Sequence, residues 1–218
     1  MKRERSVAKQ QIALPKPTAG RSTSVFKALL KRETNRSISD RKLSLQILSN
    51  LLWSACGINR KKGPFGIPGR TAASASNSQE IDLFVALSEG VYLYEPVPHC
   101  LISVVTEDLR ALAIGKGEGT AGAKAPVRLI FVADIARFSY AGFQEPGLED
   151  PEIRKSYYFI DAGLIAGNVY LFAASQGLAT WFHNCNRVEL SAKLNLSKDK
   201  RILFGQTIGY AEKGLPRS

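Results

Sequence analysis

Two apolar runs joined by a tight turn constrain the fold of this chain more than any other feature. Residues 81–87 read Ile-Asp-Leu-Phe-Val-Ala-Leu, and after Glu89-Gly90 the chain continues as Val-Tyr-Leu-Tyr over residues 91–94. Runs of this length, rich in β-branched and aromatic residues and separated by a glycine turn, are typical of a β-hairpin. Antiparallel strands are therefore the base of the predicted fold.

Further strands and helices extend this hairpin into an α+β pattern. Short apolar runs predict strands at 101–105, 127–133 and 201–209. Helical spacing and capping residues predict helices at about 24–31, 45–55 and 157–176. We expect a mainly antiparallel central sheet flanked by helices.

Positive charge is concentrated at the N-terminus. The chain has a formal net charge of +11, and ten of its 30 Lys and Arg residues lie in residues 1–36, against two of its 19 acidic residues. Residues 1–22 contain two prolines and Gly20, which predicts a basic extended arm without its own core. A single domain is predicted over 23–218. Because this body is nearly neutral, its whole surface is not expected to bind nucleic acid.

Cysteine and histidine positions exclude the common metal sites. Cys56, Cys100 and Cys185 form no CxxC pair, and the two histidines are far apart in sequence. Buried thiols in a reducing compartment are the simplest interpretation. The charged N-terminus lacks the apolar run of a secretory signal, and no uncharged apolar stretch reaches the ~18 residues of a membrane span. We expect a cytoplasmic protein without a bound metal or a membrane partner.

Two polar segments point to a ligand. In an extended stretch, Arg32, Thr34 and Arg36 place two guanidinium groups and a hydroxyl on one side, which suits a phosphate group. A solvated basic patch is the alternative. Residues 70–79 carry many short polar side chains, which suit either a flat heterocycle or the backbone of a loop. Neither dinucleotide nor P-loop glycine motifs are present.

The last long helix carries small residues on one side: Ala162, Gly163, Ala166 and Gly167. Such a side permits close approach of another backbone. A helix buried in its own core and a helix at a subunit interface both fit this pattern.

Taken in order, these segments resemble the nitroreductase family, in a branch with R-x-S-x-R, LLWAACGINR and RTAPSAxNxQEID blocks. The corresponding blocks here are 32–36 (RETNR), 51–60 (LLWSACGINR) and 70–82 (RTAASASNSQEID). The resemblance covers about residues 24–212.

The resemblance implies an intertwined homodimer with one FMN at each of two sites on the subunit interface. It also implies a ping-pong reaction in which hydride passes from NADH or NADPH through flavin N5 to a nitro compound, a quinone or a similar acceptor. No catalytic side chain is then expected, because the flavin carries the chemistry. The small-residue helix would lie at the dimer interface.

Site residues are carried over from the family blocks. Arg32 and Thr34 match phosphate-binding positions, and Arg36 matches a basic position near the ribityl chain and the flavin pyrimidine, where its charge would raise the flavin's potential. Ser74, Asn77 and Gln79 match a block that reaches the flavin of the partner subunit.

The C-terminal part of the resemblance adds further positions. Residues Phe182, His183 and Asn184 lie where family members run main chain past the isoalloxazine, so main-chain contacts are expected there. A role of the His183 side chain as an acid or base is the minor alternative. Arg217 matches a late basic phosphate contact.

Four departures from the family pattern stand out. Thr34 replaces serine and keeps the hydroxyl, and Ala73 replaces proline. Gly119 and Gly167 stand where relatives carry glutamine. The missing glutamines bear on substrate choice, turnover and FMN affinity rather than on the fold.

Two other functions remain open from the sequence. One is a flavin oxidase resembling the azoline-forming dehydrogenases of peptide-tailoring clusters, which share the scaffold. The other is a non-enzymatic protein that uses its basic arm for nucleic acid or an acidic partner. The arm lacks interleaved aromatic residues for stacking on bases, which argues against the second.

Overall fold

The structure is a computed structural model that describes residues 10–18, 23–118, 122, 124–141, 143 and 146–212. Its α-helices are α1 (Val25–Lys31), α2 (Leu45–Cys56), α3 (Pro151–Gln176) and α4 (Arg187–Lys193). Its strands are β1 (Gln11–Ala13), β2 (Ile58–Arg60), β3 (Gly69–Arg70), β4 (Ile81–Leu87), β5 (Gly90–Glu95), β6 (Cys100–Val105), β7 (Val127–Asp134), β8 (Leu178–His183) and β9 (Lys200–Tyr210).

Seven of the strands form one sheet in the order β1-β6-β5-β4-β7-β9-β8, and all neighbouring pairs are antiparallel. The predicted hairpin is β4 and β5, which pair Phe84 with Leu93 and Leu87 with Gly90. Strands β2 and β3 form a separate two-stranded sheet. The predicted α+β fold with a mainly antiparallel sheet is confirmed.

The interior strand β7 is covered on both faces. Leu129 and Phe131 pack with α2 and α3 in the larger core cluster. Ile130 and Val132 point to the opposite face and pack with residues that include Leu190 of α4. This double burial explains why the strand is apolar on both alternations.

Helix α2 follows its sequence signals closely. Ser44 caps its first turn by accepting a hydrogen bond from the Ile47 amide at 3.3 Å. Leu48, Leu51, Leu52 and Ala55 are buried, as their helical spacing predicts.

Helix α3 begins six residues before the predicted start at Tyr157. Asp150 caps it through the Glu152 amide, and Pro151 occupies the first helical turn, where its missing N–H costs nothing. The helix ends as predicted at Gly177, whose φ of 68° is left-handed.

Part of the predicted N-terminal arm joins the sheet. Strand β1 pairs with β6 through Gln11–Ile102, Ile12–Leu101 and Ala13–Cys100. Leu14 is buried beside it. Residues 1–9 and 19–22 of the arm lie outside the described residues.

Among the described helices, α3 is long and apolar enough to cross a membrane by length and composition. It packs instead on α1, α2, β8 and β9, and its Asp161 is buried. One third of its apolar window is buried inside the protein, and a single helix of this kind is weak evidence for a membrane span.

Candidate functional site

The segment that follows α1 lies along the outer edge of β8. The Asn35 amide donates to the Thr180 carbonyl at 3.0 Å, and Ile38 forms a bridge with Ala211. These contacts fix the main chain of residues 35–38. The preceding Arg32 and Thr34 and the intervening Arg36 are thereby placed beside the end of α3 and the start of β8.

Two arginines in this segment are exposed but oriented. The Cζ atom of Arg32 lies 5.5 Å from the centroid of the Tyr170 ring, and that of Arg36 lies 5.4 Å from the Trp181 ring. A guanidinium group over an aromatic face at this distance is attracted by the ring. Neither arginine forms an ion pair with another residue that the structure describes. Among these residues, aromatic rings rather than carboxylates orient the two guanidinium groups.

Thr34, between the two arginines, contacts Tyr170 of α3. Their hydroxyl oxygens are 3.1 Å apart, and the Phe182 amide donates to the same Tyr170 oxygen at 3.0 Å. The structure thus brings Arg32, Thr34 and the main chain at Phe182 together around one tyrosine. The sequence analysis did not identify Tyr170, which lies in the run Asn-Val-Tyr-Leu at residues 168–171.

Phe182 and His183 end β8, and Asn184 follows. The His183 ring is 4% exposed, with Nδ1 2.7 Å from the Asn184 carbonyl oxygen and Nε2 2.7 Å from Thr207 Oγ1. Burial lowers the pKa of His183 to about 4. The ring is therefore neutral and both nitrogens have partners, so its geometry gives no support to an acid or base role.

Ser74, Asn77 and Gln79 lie in one loop held by its own polar groups. Ser74 Oγ accepts from the Gln79 amide at 3.0 Å, and Gln79 Nε2 donates to Asn77 Oδ1 at 3.0 Å and to the Pro68 carbonyl at 2.7 Å. Asn77 and Gln79 have φ values of 51° and 52°. Backbone in this left-handed region is strained for residues other than glycine, and the internal hydrogen bonds hold it there.

The loop is anchored to α3 through a buried carboxyl pair. The Ala75 amide donates to Asp161 Oδ2 at 2.9 Å, and Asp161 is hydrogen-bonded to Glu80, which is completely buried. Ser78 Oγ donates to Glu80 Oε2 at 2.6 Å. Burial, together with the neighbouring Glu80, raises the pKa of Asp161 to about 8. Neither acid was identified from the sequence.

Within one chain these two groups of residues are apart. Tyr170 contacts the arginine segment, whereas Asp161 contacts the 74–79 loop, and the two residues are nine positions apart on α3. Nine residues make two and a half turns, so the side chains leave opposite faces of the helix, separated by roughly 14 Å along its axis.

A small cavity lies beside the segment that carries the arginines. Residues 31, 33 and 35 line a space of about 210 Å³ together with Tyr170 and the start of β8. Ligand pockets usually measure ~300–1,000 Å³. This cavity is smaller, and Lys31, Glu33 and Asn35 line it rather than Arg32, Thr34 and Arg36, so it is not itself the anion site. The two oriented arginines and the Thr34 hydroxyl carry the donor groups that would suit the phosphate of FMN.

The other predicted positions are placed as follows. Gly167 is exposed on α3, and a Cβ atom there would meet nothing within 4 Å. Arg217 and Gly119 lie outside the described residues. Cys56, Cys100 and Cys185 are free and buried, and burial raises the pKa of Cys56 and Cys185 to about 11, which confirms the prediction of buried thiols.

Comparisons with known proteins agree on one family. The family model described as the nitroreductase family matches residues 29–210. A protein assigned as a nitroreductase in Methanocaldococcus jannaschii is 29% identical over 159 residues, which are 70% of this chain and 74% of that protein.

Solved structures give the same result. A protein from Ralstonia eutropha, also assigned as a nitroreductase, matches with a TM-score of 0.80 and 32% identity over 96% of this chain and 93% of its own. A chain of the E. coli microcin synthetase McbBCD complex, solved with truncated pro-MccB17 bound, shares the fold with a TM-score of 0.70 and 16% identity, over 92% and 75% of the two chains.

Proposed function

Because this chain belongs to the nitroreductase family, we propose that it is an FMN-dependent oxidoreductase that oxidises NADH or NADPH and reduces a small acceptor such as a nitro compound or a quinone. The family and the fold support an oxidoreductase. FMN, the nicotinamide donor and the ping-pong order belong to the proposal.

One observation carries it: two exposed arginines flank a hydroxyl, are oriented by aromatic rings and have no ion pair among the described residues. Arg32 and Thr34 would bind the phosphate, and Arg36 would add positive charge nearer the ring. When bound, FMN supplies the two-electron chemistry, taking a hydride at N5 from the nicotinamide and giving it to the acceptor.

The remaining wall of the site would come from a second chain. Ser74, Asn77 and Gln79 sit on the opposite face of α3 from the arginine segment, so in a homodimer the loop of one chain would reach the flavin held by the other. Phe182, His183 and Asn184 would contribute main-chain contacts, and Arg217 a late phosphate contact. The buried loop anchor at Asp161 would keep the donor groups of the loop in place.

Exposed apolar side chains support the homodimer. Phe26 and Leu30 on α1 are 71% and 73% exposed, and Ile160 and Leu164 on α3 are 57% and 46% exposed. Gly163, between the last two, has open space where a Cβ atom would lie. Large apolar groups grouped on neighbouring helices are typical of an interaction surface. We expect a dimer by light scattering, in the cytoplasm, where NADH and NADPH are available.

Purification of the protein tests the cofactor. We expect flavin absorption bands, release of FMN rather than FAD on denaturation, and anaerobic bleaching of the flavin by NADH or NADPH followed by recovery when a quinone or nitroaromatic compound is added. A folded protein that stays colourless after incubation with FMN would contradict the proposal.

The likeness to a chain of a microcin synthetase favours a second candidate, a flavin oxidase acting on a peptide. The same anaerobic titration distinguishes the two. If the protein carries FMN that neither NADH nor NADPH bleaches, the oxidase becomes the better function, and oxidation of azoline peptides should be measured next.

A further inference from the structure

We infer that the Tyr170 hydroxyl is a positioning group that directs the Thr34 hydroxyl toward the phosphate of the flavin nucleotide. Tyr170 lies on α3, outside the segment that carries the arginines, and its oxygen contacts both Thr34 Oγ1 and the Phe182 amide. The inference rests on the proposed function, since it assumes FMN as the ligand.

The direction of these hydrogen bonds follows from counting protons. The Phe182 N–H is always a donor, so it takes one lone pair of the Tyr170 oxygen. A phosphate dianion only accepts, so a Thr34 hydroxyl that binds it must use its single proton for the phosphate. The bond between the two hydroxyls at 3.1 Å then requires Tyr170 to donate to Thr34.

The result is a series of three hydrogen bonds: the Phe182 amide donates to the Tyr170 hydroxyl, the Tyr170 hydroxyl to the Thr34 hydroxyl, and the Thr34 hydroxyl to the phosphate. Hydrogen bonds in such a series polarise and strengthen one another. The last one is strengthened most, because its acceptor is charged. Without the tyrosine proton, the Thr34 hydroxyl is free to rotate away from the ligand.

The tyrosine ring has a separate role, and the two roles can be tested apart. Its face lies under the Arg32 guanidinium at 5.5 Å. A phenylalanine at this position keeps the face under Arg32 and removes only the hydroxyl. Tyr170→Phe therefore tests the hydrogen-bond chain without removing the support of the arginine.

The experiment measures affinity for FMN and for riboflavin, which has the same ring but no phosphate. Apo-protein of the wild type and of Tyr170→Phe is titrated by flavin fluorescence. We expect the variant to bind FMN roughly tenfold more weakly, while its affinity for riboflavin stays within about twofold. Tyr94→Phe is the matched control, since it removes a tyrosine hydroxyl that is hydrogen-bonded to His99 Nδ1 at 2.9 Å between β5 and β6. It should change neither affinity.

Variants of Thr34 show whether Tyr170 acts through it. Thr34→Val should weaken FMN binding by a similar factor and Thr34→Ser should not. Adding Tyr170→Phe to Thr34→Val should cause little further loss of FMN affinity. The effects of two substitutions in the same series of hydrogen bonds are not additive.

Each result decides between the possible roles of Tyr170. Equal losses for FMN and riboflavin would show that Tyr170 merely supports the fold, and an unchanged FMN affinity or fully additive losses would also overturn the inference. Failure of the wild type to bind FMN would instead overturn the proposed function, and the inference with it.

Discussion

Arg32 and Arg36 are held by aromatic faces rather than by carboxylates, and this distinguishes them from the ion-paired cations elsewhere in the described residues. Arg137 and Lys200, for example, both bind Asp82 at 2.6 Å. Cations that are oriented but not ion-paired within the described residues are suited to a bound anionic ligand such as the proposed FMN phosphate. Their charge is therefore better explained by ligand binding than by stability, since exposed charges contribute little to folding.

Replacement of both arginines should separate flavin binding from folding. We expect Arg32→Ala with Arg36→Ala to lower FMN affinity by roughly 100-fold or more, because each charge-assisted contact is worth ~1.5–3 kcal/mol, while the unfolding temperature of the apo-protein changes little. Flavin content after gel filtration is the measurement. Arg201→Ala, at the exposed start of β9, is the control. Undiminished flavin content in the double variant would refute the phosphate assignment.

Asp161 makes stability depend on pH. Its pKa is about 8 in the folded protein, against an ordinary value of 3.8, so folding favours the protonated form. Its contribution to stability is complete below about pH 4 and is lost as the pH rises toward 8. In Asp161→Asn the amide can accept from the Ala75 N–H and donate to Glu80, as the protonated carboxyl does.

We therefore expect the melting temperature of Asp161→Asn to change less between pH 5 and pH 8 than that of the wild type, with a difference of about 4 °C or more at pH 8. Thermal unfolding of apo-protein at several pH values is the measurement. Asp40→Asn, an exposed carboxyl before α2, should leave the wild-type profile unchanged. Parallel profiles for the wild type and Asp161→Asn would show that Asp161 is not protonated in the folded state.

The junction between α3 and β8 depends on one glycine. Gly177 has a φ of 68° and ends α3, and β8 begins at the next residue. Gly177→Ala should lower the free energy of unfolding by about 1 kcal/mol, because an alanine side chain disfavours this backbone conformation. Denaturant unfolding measures the change.

Gly117→Ala is the matched control for this change. A Cβ atom at either glycine meets nothing within 4 Å, but only Gly177 of the two has a positive φ. A loss of stability at Gly177 alone isolates the effect of the backbone. Equal effects at both positions would mean that the left-handed conformation is not the cause.

The elements that the sequence predicted well have local signals. The hairpin at Gly90 and the helix between Ser44 and Gly57 each carry their own turn or capping residues, and the structure has them at nearly the predicted positions. Strand β8 was missed because a single residue, Gly177, separates it from a long helix. Strand β1 was missed because three residues carry no periodicity, and their pairing partner is about 90 residues away.

Contacts between segments far apart in the sequence also limited the prediction of the candidate site. The alternate positions of Arg32, Thr34 and Arg36 predicted either an anion site or a solvated basic patch before any family was considered, since spacing along the chain is local information. Tyr170 and Asp161 could not be found in this way, because their roles come from contacts with segments 136 and 86 residues away. Only the folded chain shows that α3 contacts both the segment with the arginines and the 74–79 loop.

A site divided between two chains predicts complementation in the whole molecule. One variant carries Arg32→Ala and Arg36→Ala, and the other carries Ser74→Ala and Asn77→Ala. In a mixed dimer one site receives both defects and the other receives none. We expect co-refolded variants to recover bound FMN in about a quarter of all sites when pairing is random, whereas each variant alone binds little.

Co-refolding each variant with itself is the control for this experiment. Recovery of flavin only in the mixture would support a site made from two chains. If the mixture binds no more FMN than the separate variants, the loop and the arginine segment serve the same flavin within one chain, or the loop does not contact it.

The two ends of the large sheet are both covered. At one end the short strand β1 is followed by Pro15 and Pro17, and at the other the main chain around Asn35 and Ile38 runs beside β8 and β9. Short edges, prolines and covering segments prevent strands of separate molecules from joining edge to edge. Removal of residues 1–18 would expose the edge of β6, which now pairs with β1. We therefore expect such a truncation to cause aggregation and fibril formation through strand pairing, whereas the full-length protein would associate through its helices.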